Sequence, residues 1–509
     1  MEEVFIDGVA QSKFGKDERP LEDMIVGVAT EALDNSNKPE PDVVIIGNFN
    51  YKGYVGQASL DALVGEKLGL PSTVPKIQID RGSSTGAAAV ELGYLLAQGG
   101  KKVLVVSGEK MRVSGGGDVT EETSKVVHKS DRILGVTMPV IAGLATSEYM
   151  KHVGISEKKL REIFFEILNQ NRKNGAMNPD AYLKNQISRD DYFHNIKTNE
   201  ADPKNPWVAW PLTRNDCGGT YNGAAAVMLT PIETDLHLAG INSAHSSVSI
   251  NGRRTLISLD STVNAAGQLY KATGIMPADI DIVDLHDAFA PVPVLAAEDL
   301  GIAERGKGAD LALLGKNKYG KRVFYNLSGG FLCKTHPIAA SGTAQLVELT
   351  YQMRGQSQYG KIIGSDLGNV NVGLWFSMHG FGFYNVVGIV EKTGRSRNSG
   401  GVDESQLPEN YQLKRRELPV KGGERLVAIT NLPKPIEVYG AIGAARTEEG
   451  KLQLGLLKEF NPEYLGKRIN TSNEGYRVGF EPVTESIFDK MAGRFSGGLR
   501  EVFGMFSRR

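Results

Sequence analysis

The chain has 509 residues, of which 41% are hydrophobic and 23% charged, and its formal net charge is -1. This length exceeds one ordinary domain, so two or three folded units are expected, and the near-zero charge offers no general attraction to nucleic acid. Cys217 and Cys333 lack the spacing of a disulfide framework or a structural zinc site, which favours a reducing cytoplasm and no bound metal. An acidic start and the lack of a long apolar run predict a soluble protein without an integral membrane segment.

Strand and helix signals alternate along most of the chain. Short apolar runs bounded by Gly, Asp or Pro predict buried strands at residues 43–46, 102–107 and 224–229. Apolar residues at helical spacing predict helices at residues 21–33, 86–96 and 157–174. This alternation predicts an α/β fold class, with sheets that are covered by helices.

The segment KIQIDRGSSTGAAAVELG, which begins at residue 76, places a glycine-bracketed turn between a predicted strand and a predicted helix. Such a turn presents a side chain at a helix N-terminus, where enzymes often hold an activated nucleophile. Here the turn offers only hydroxyl groups, among them that of Ser83. A serine hydroxyl is a weak nucleophile unless a neighbouring base activates it.

Three later segments each place a histidine beside small residues at a predicted strand end or turn. They are VDLHDAFAPVP with His286, YNLSGGFLCKTHPIAASGTAQLVEL with His336, and LWFSMHGFGFYNVVGIVEK with His379. Small neighbours allow a ligand to approach the backbone closely. The three segments therefore indicate a shared binding pocket.

The composition changes after Lys392. Residues 395–422 are polar and rich in Gly, Ser and Asn, which predicts a linker. Beyond it, strand signals at 425–430, 436–446 and 451–457 predict a small β domain spanning 423–509, plausibly a barrel. Its last part carries apolar residues at helical spacing, which predicts an amphipathic C-terminal helix that packs on its own protein or, in a minority interpretation, meets a partner or a membrane surface.

The histidine segments, together with VLVVSGEK at 103–110 and WPLTRNDCGGTYNGAAAVML at 210–229, resemble the thiolase superfamily, most closely sterol-carrier-type thiolases and their lipid-transfer relatives. The resemblance covers residues 1–392. It implies a duplicated thiolase fold of two βαβ halves in αβαβα layers, divided here into 1–235 and 236–394. It also implies an active site between the halves and a homodimer.

The resemblance implies that both catalytic thiols of the family are missing. Ser83 stands where a cysteine is acylated in related thiolases, and Ala288 stands where sterol-carrier-type thiolases carry a second thiol. His286 matches the residue that forms an oxyanion hole with a water, and His336 matches the histidine that activates the nucleophile and polarises a carbonyl. Thr335 replaces the usual glycine before that histidine. The pocket can thus still stabilise an enolate.

The candidate catalytic residues are therefore His286, His336, His379 and Ser83. The candidate substrate-binding residues are Ser84, Gly330, Gly380, Gly382 and Tyr384, with Tyr325 as a further wall residue or proton donor. Structural alternatives exist for each: Ser83 as a helix N-cap, the histidines as satisfied core residues, and Cys217 as packing. Cys333 lies near His336 but in the register of a loop position, so its participation in catalysis is the lesser expectation.

Three functions remain open. The first is an enzyme that forms or cleaves a carbon–carbon bond of a CoA thioester by enolate stabilisation, for example a retro-aldol lyase. The second is acyl transfer through Ser83, and the third is a non-catalytic acyl-CoA or lipid carrier, or a scaffold subunit of a thiolase complex. The expected substrate is a coenzyme A thioester, with no bound cofactor, no metal and no nucleic acid. The C-terminal domain weakly resembles the OB-fold half of accessory proteins that assemble with lipid-transfer relatives, without their zinc ribbon, which indicates a fused acyl-CoA docking module.

Overall fold

A computed structural model describes residues 2–37, 40–112, 119–198, 205–355, 370–394, 425–436, 439–446, 451–457, 462–465, 469–471 and 480–482. The α-helices in these ranges are α1 (Leu21–Asp34), α2 (Tyr51–Val55), α3 (Leu60–Lys67), α4 (Thr85–Ala97), α5 (Val119–Ser124), α6 (Lys129–Ile133), α7 (Met138–Val153), α8 (Glu157–Met177), α9 (Arg189–Thr198), α10 (Asp260–Thr273), α11 (Pro291–Asp299), α12 (Ala309–Leu314), α13 (Gly330–Lys334) and α14 (Ile338–Arg354).

The strands in the same ranges are β1 (Phe5–Gln11), β2 (Val43–Gly47), β3 (Lys76–Ile79), β4 (Val103–Lys110), β5 (Trp207–Ala209), β6 (Leu212–Thr213), β7 (Asn222–Thr230), β8 (Leu236–His245), β9 (Ile282–Leu285), β10 (Phe324–Tyr325), β11 (Val372–His379), β12 (Tyr384–Lys392), β13 (Arg425–Ile436), β14 (Tyr439–Arg446), β15 (Leu452–Leu457), β16 (Ile469–Thr471) and β17 (Phe480–Pro482). The predicted α/β class is confirmed, and the six strands and helices predicted before residue 230 are confirmed to within a few residues.

The main sheet consists of two halves with the same strand order. The first half runs β1-β7-β4-β2-β3 and the second runs β8-β12-β11-β9-β10. In each half the first two pairings are antiparallel and the last two are parallel. The halves meet where β1 lies antiparallel to β8, with Phe5 opposite His237. This repeated order is the duplication that the family resemblance implied.

Helices α4 and α14 cross between the two halves at a pair of glycines. A Cβ atom on Gly86 would lie 2.6 Å from Ala339 O, and one on Gly342 would lie 2.5 Å from Ala87 N. Because neither glycine has a side chain, the two backbones approach more closely than larger residues would allow. Helix α4 is preceded by the serine turn and α14 by His336, so the crossing brings the two predicted catalytic segments together.

The C-terminal strands β13, β14 and β15 form an antiparallel sheet, and β16 pairs with β17. Strand β15 contacts the thiolase-like body through Gly252 N–H, which donates to Leu452 O at 2.9 Å, and Leu452 N–H, which donates to Arg253 O at 2.6 Å. Strands are thus present where the sequence predicted a small β domain, whereas the separate domain and its OB-like topology stay predictions. The predicted linker and the terminal amphipathic helix lie outside the described residues. No helix of the described ranges is long and apolar enough to cross a membrane.

Candidate active site

The serine turn is closed by its own polar residues. Asp80 Oδ1 accepts the Gly82 N–H at 2.7 Å, and Thr85 Oγ1 donates to Gly82 O at 2.7 Å. Gly82 has a φ of 51°, and a Cβ atom there would collide with the ring of His379. Glycine therefore allows His379 to lie against the turn, where its Nδ1 accepts the Ser83 N–H at 3.3 Å.

Ser83 is half-buried and does not cap the helix. The N-cap residue of α4 is Ser84, and no side chain makes the capping bond. Thr85 instead accepts the Arg81 N–H at 2.8 Å. The N-cap alternative for Ser83 is therefore wrong. Within the part of the chain that the structure describes, the Ser83 hydroxyl makes no hydrogen bond, so no base is in place to activate it.

His286, His336 and Phe331 form a triangle of rings in mutual contact. Their ring centroids are 5.0 Å apart at an interplanar angle of 80°. Phe331 stacks on His336 at 4.8 Å and meets the edge of His286 at 4.9 Å. His286 follows the end of β9, Phe331 lies in α13, and His336 immediately precedes α14. Three elements that are distant in sequence thus build one ring cluster.

Hydrogen bonds assign a different tautomer to each of these two histidines. His286 Nδ1 accepts the Met378 N–H at 3.3 Å, so a neutral His286 carries its proton on Nε2 and donates there. His336 Nδ1 lies 2.7 Å from Ser341 Oγ, which itself donates to Pro337 O at 3.0 Å. Because the serine proton is already used, His336 Nδ1 donates to Ser341 and Nε2 keeps its lone pair. The cluster therefore contains one hydrogen-bond donor and one base.

Burial keeps all three histidines uncharged near neutral pH. It lowers the pKa of His336 to about 3 and that of His379 to about 4, the latter with a smaller contribution from Arg81. The pKa of His286 lies well below its ordinary value because of burial and because His336 and His379 are near. A neutral imidazole can accept a proton from a substrate at His336 and donate a hydrogen bond at His286.

Asp287 holds α13 against the histidines, and sequence reasoning missed this residue. Its Oδ1 accepts the Phe331 N–H at 2.5 Å, and its Oδ2 accepts from Asn171 Nδ2 at 2.6 Å. A Cβ atom on Gly330 would collide with Asp287 Oδ2, so only glycine allows this approach. Burial raises the pKa of Asp287 to about 8. The sequence shows Asp287 directly after His286, which is the signal that could have marked it. Its partners Phe331 and Asn171 lie far from it in the chain, so no local pattern indicates these contacts.

The site is identified by these contacts and not by an open cleft. A cavity of about 170 Å³ lies elsewhere, between α7, α8, α11 and α12, with Tyr149, Phe164 and Leu295 among its walls. None of the three histidines lines it. No group of acidic, histidine or cysteine side chains among the described residues has the arrangement of a metal site.

Comparison with known families accounts for most of the chain. The family model described as thiolase, N-terminal domain, matches residues 4–231, and the one described as thiolase C-terminal domain-like matches residues 242–392. The chain belongs to the thiolase superfamily. The first matched region ends directly after β7 and the second begins within β8, close to the point in the chain where the first half of the duplicated sheet gives way to the second.

Relatives of known name agree with this assignment. Acetyl-CoA acetyltransferase of Methanothermobacter thermautotrophicus is 28% identical over 384 residues, which cover 72% of this chain and 95% of the relative. Sterol carrier protein 2 of Oryctolagus cuniculus is 29% identical over 401 residues, covering 73% of this chain and 70% of the relative. The solved structure of the Ltp2-ChsH2(DUF35) aldolase is 17% identical with a TM-score of 0.62, covers 77% of this chain and 99% of that chain, and shows the shared fold.

Burial keeps both cysteines of this thiolase-superfamily chain in the thiol form. Cys217 Sγ donates to Thr213 O at 3.5 Å, and burial raises the pKa of this thiol. Cys333 Sγ donates to Leu183 O at 2.8 Å, and burial raises its pKa to about 11. Cys333 lies in α13, so its predicted loop position is wrong. Both are protonated packing residues near neutral pH, and Ala288 offers no ionisable group.

The remaining predicted thiolase-site residues lie around the histidines with mainly internal contacts. Ser84 is fully buried, 3.5 Å from Tyr384 O, and the Tyr384 hydroxyl donates to Glu91 at 2.8 Å. Gly380 and Gly382, with φ of 58° and 90°, form the turn after His379. Tyr325 is buried on β10. Substrate contact by Ser84, Gly330, Gly380, Gly382 and Tyr384 stays a prediction.

Proposed function

We propose that this protein forms or cleaves a carbon–carbon bond of a CoA thioester by stabilising an enolate, without a cysteine nucleophile. One observation carries the proposal: the rings of His286 and His336 are 5.0 Å apart, and each uses its Nδ1 within the protein, His286 with Met378 N–H and His336 with Ser341 Oγ. The tautomers assigned from these contacts make Nε2 a donor on His286 and a base on His336. A CoA thioester as substrate is supported by relatives such as the acetyl-CoA acetyltransferase. The lyase direction is supported by the fold shared with an aldolase.

The proposed cleavage of a β-hydroxyacyl-CoA balances with the chain's own groups. His336 Nε2 takes the proton of the β-hydroxyl, and the Cα–Cβ bond breaks as the β-carbon becomes a carbonyl. The electron pair of that bond passes to the thioester as an enolate, whose oxygen accepts a hydrogen bond from His286 Nε2–H. The proton on His336 then returns to Cα. The products are an aldehyde or ketone and a shortened acyl-CoA, and the reverse sequence joins them.

Acyl transfer through Ser83 is the less favoured alternative. A serine nucleophile needs a base within hydrogen-bond reach. Among the described residues the Ser83 hydroxyl is not hydrogen-bonded to a base, and His379 Nδ1 instead accepts the Ser83 backbone N–H at 3.3 Å. A carrier or scaffold role requires no particular histidine tautomers, so the hydrogen-bond pattern of His286 and His336 favours the enzyme over it.

We further propose a homodimer in the cytoplasm, with the C-terminal β domain as a docking module for acyl-CoA or for a thiolase-type or OB-fold partner. Two observations support these partners. Strand β3 is an edge strand of the main sheet, and the side chain of Ile77 on it is partly exposed. A second copy of the chain could cover such an edge. The related-fold aldolase is an assembly of Ltp2 with ChsH2(DUF35).

Exchange of α-hydrogens in D₂O tests the proposal without knowledge of the acyl group. An enzyme that stabilises an enolate incorporates deuterium at Cα of acetyl-CoA, propionyl-CoA or longer acyl-CoAs, which mass spectrometry detects. We expect exchange by the wild type and a loss of about a hundredfold in His286→Phe, which removes the donor but keeps a ring. His152→Asn, on the exposed face of α7, is the control and should exchange at the wild-type rate. Equal rates in His286→Phe and wild type would contradict the proposal, and absent exchange with bound ligand would favour a carrier.

A further inference from the structure

Thr335 adopts a backbone conformation that is normally reserved for glycine. It follows α13 with a φ of 86° and a ψ of 171°. In this region the Cβ atom crowds the residue's own backbone, so almost only glycine is found there. A threonine is a poor choice on steric grounds because it carries two heavy atoms on Cβ.

Hydrogen bonds on both sides fix the strained residue. The Thr335 N–H donates to Phe331 O at 3.1 Å, and the His336 N–H donates to Gly219 O at 2.8 Å. The first bond ties Thr335 to Phe331, whose ring stacks on His336. The backbone of Thr335 is therefore fixed between Phe331 and His336. The proposed base directly follows Thr335 in the chain.

The hydroxyl of Thr335 is buried and has no partner in the chain as described. The residue is 0% exposed, and its Oγ1 forms no hydrogen bond within the described ranges. A buried hydroxyl without a partner destabilises the fold, in addition to the backbone strain. Both effects disfavour threonine, so packing does not account for this side chain.

Two other non-glycine residues near the site with positive φ have side chains that the fold uses. Asn326, with a φ of 40°, accepts the Leu285 N–H at 2.7 Å and donates to Leu285 O at 3.0 Å. Phe381, with a φ of 54°, is buried in the hydrophobic core. Thr335 differs from both because its hydroxyl has no hydrogen-bond partner among the residues that the structure describes.

We propose that Thr335 Oγ1 binds the substrate, by a hydrogen bond to the β-oxygen of a β-hydroxyacyl thioester beside His336. This inference rests on the proposed function, in which His336 Nε2 takes the proton from that same oxygen. A hydroxyl both donates and accepts, so it suits the β-oxygen before and after proton transfer. Thr335 then determines specificity for thioesters that carry an oxygen on the β-carbon over saturated ones.

The test compares two ligands that differ only in the β-hydroxyl, 3-hydroxybutyryl-CoA and butyryl-CoA, and the corresponding eight-carbon pair, by calorimetric titration. We expect the wild type to prefer the hydroxylated ligand. Thr335→Val keeps the shape and removes the hydroxyl, and should bind that ligand at least about tenfold more weakly, with butyryl-CoA unchanged. Thr350→Val is the matched control, since that buried hydroxyl already donates to Leu346 O at 2.8 Å within α14, and it should keep the wild-type preference.

Two further variants separate binding from folding. Thr335→Gly relieves the strain, so it should raise the melting temperature while it abolishes the preference, and Thr335→Ser should retain the preference. The inference would be overturned if Thr335→Val bound the hydroxylated ligand as tightly as the wild type does. It would also be overturned if the wild type bound both ligands equally, a result that would leave CoA thioester binding intact. Binding of neither ligand by the wild type would contradict the proposed function itself and the inference with it.

Discussion

His286, His336 and His379 are imidazoles that the fold keeps uncharged by removing them from water. For each of them burial lowers the pKa in the folded state below the ordinary value of 6.5. As the pH falls below about 6.5, the unfolded chain therefore binds protons that the folded chain does not. Stability from these groups is complete above pH 6.5 and is lost towards the folded pKa values, about 4 for His379 and about 3 for His336.

Replacement of His336 by glutamine should make the protein less sensitive to acid. Relative to His336→Gln, the wild type should lose up to about 1.4 kcal/mol of unfolding free energy per pH unit below pH 6.5. Urea unfolding of both proteins at pH 7.5, 6.5 and 5.5 measures the difference. The comparison cancels the opposite contribution of Asp287, whose raised pKa, about 8, makes stability fall as the pH rises. A constant difference across this range would contradict the neutral, buried state of His336.

At the level of residues, the sequence predicted the histidines better than their surroundings. His286, His336 and His379 were found because small neighbours and family motifs mark them. Asp287 and Phe331 were missed because their roles depend on contacts between β9, α8 and α13, which no local pattern encodes. The family resemblance marked Thr335 as standing where glycine is usual, but only the structure shows that the threonine keeps a glycine-type φ of 86°.

At the level of elements, the relative position of the serine turn and His336 depends on the crossing of helices α4 and α14. Both helices are rich in small residues; α14 is almost completely buried, and α4 is buried throughout its N-terminal half. Their N-terminal ends carry the serine turn and His336, so the distance between the helix axes sets the geometry of the site. The sequence predicted α4 from its periodicity, but Gly86 and Gly342 gave no indication of the crossing because small residues in a helix have several uses.

Gly86→Ala and Gly27→Ala should change stability in opposite directions. A methyl group on Gly86 would press on Ala339 O at 2.6 Å, which we expect to destabilise the protein by about 1 to 3 kcal/mol. Gly27 lies on the exposed face of α1 with nothing within 4 Å of its would-be Cβ, so alanine there should stabilise the protein by roughly 0.5 to 1 kcal/mol. Thermal unfolding of both variants tests this, and a neutral Gly86→Ala would mean that the two backbones are not in close contact.

At the scale of the whole molecule, the C-terminal β domain and the proposed active site are connected through Arg253. Its backbone O accepts the Leu452 N–H of β15 at 2.6 Å. Its side chain donates to Ser247 O at 2.6 Å and to Phe381 O at 2.8 Å. Phe381 lies two residues after His379, in the turn that follows this histidine. The sequence predicted the thiolase-like part from its motifs and the C-terminal β domain from its strand signals, but it contained no sign of this connection, which depends on one buried guanidinium.

Arg253→Lys should destabilise the protein by about 2 kcal/mol, because an ammonium group cannot reproduce the fork of hydrogen bonds to two carbonyl groups. Arg254→Lys is the matched control, since Arg254 is exposed and pairs at the surface with Asp260, so its effect should be within about 0.5 kcal/mol. Urea unfolding measures both. Equal effects of the two substitutions would show that the Arg253 side chain does not hold the turn after His379.

The most direct test of the central claim is intact mass spectrometry of the wild type and Ser83→Ala after incubation with acyl-CoAs and β-hydroxyacyl-CoAs, with released products analysed in parallel. Enolate chemistry by His286 and His336 predicts no acyl adduct on either protein and product formation by both. An acyl adduct on the wild type that is absent from Ser83→Ala, together with loss of product in that variant, would contradict the account and identify Ser83 as the nucleophile.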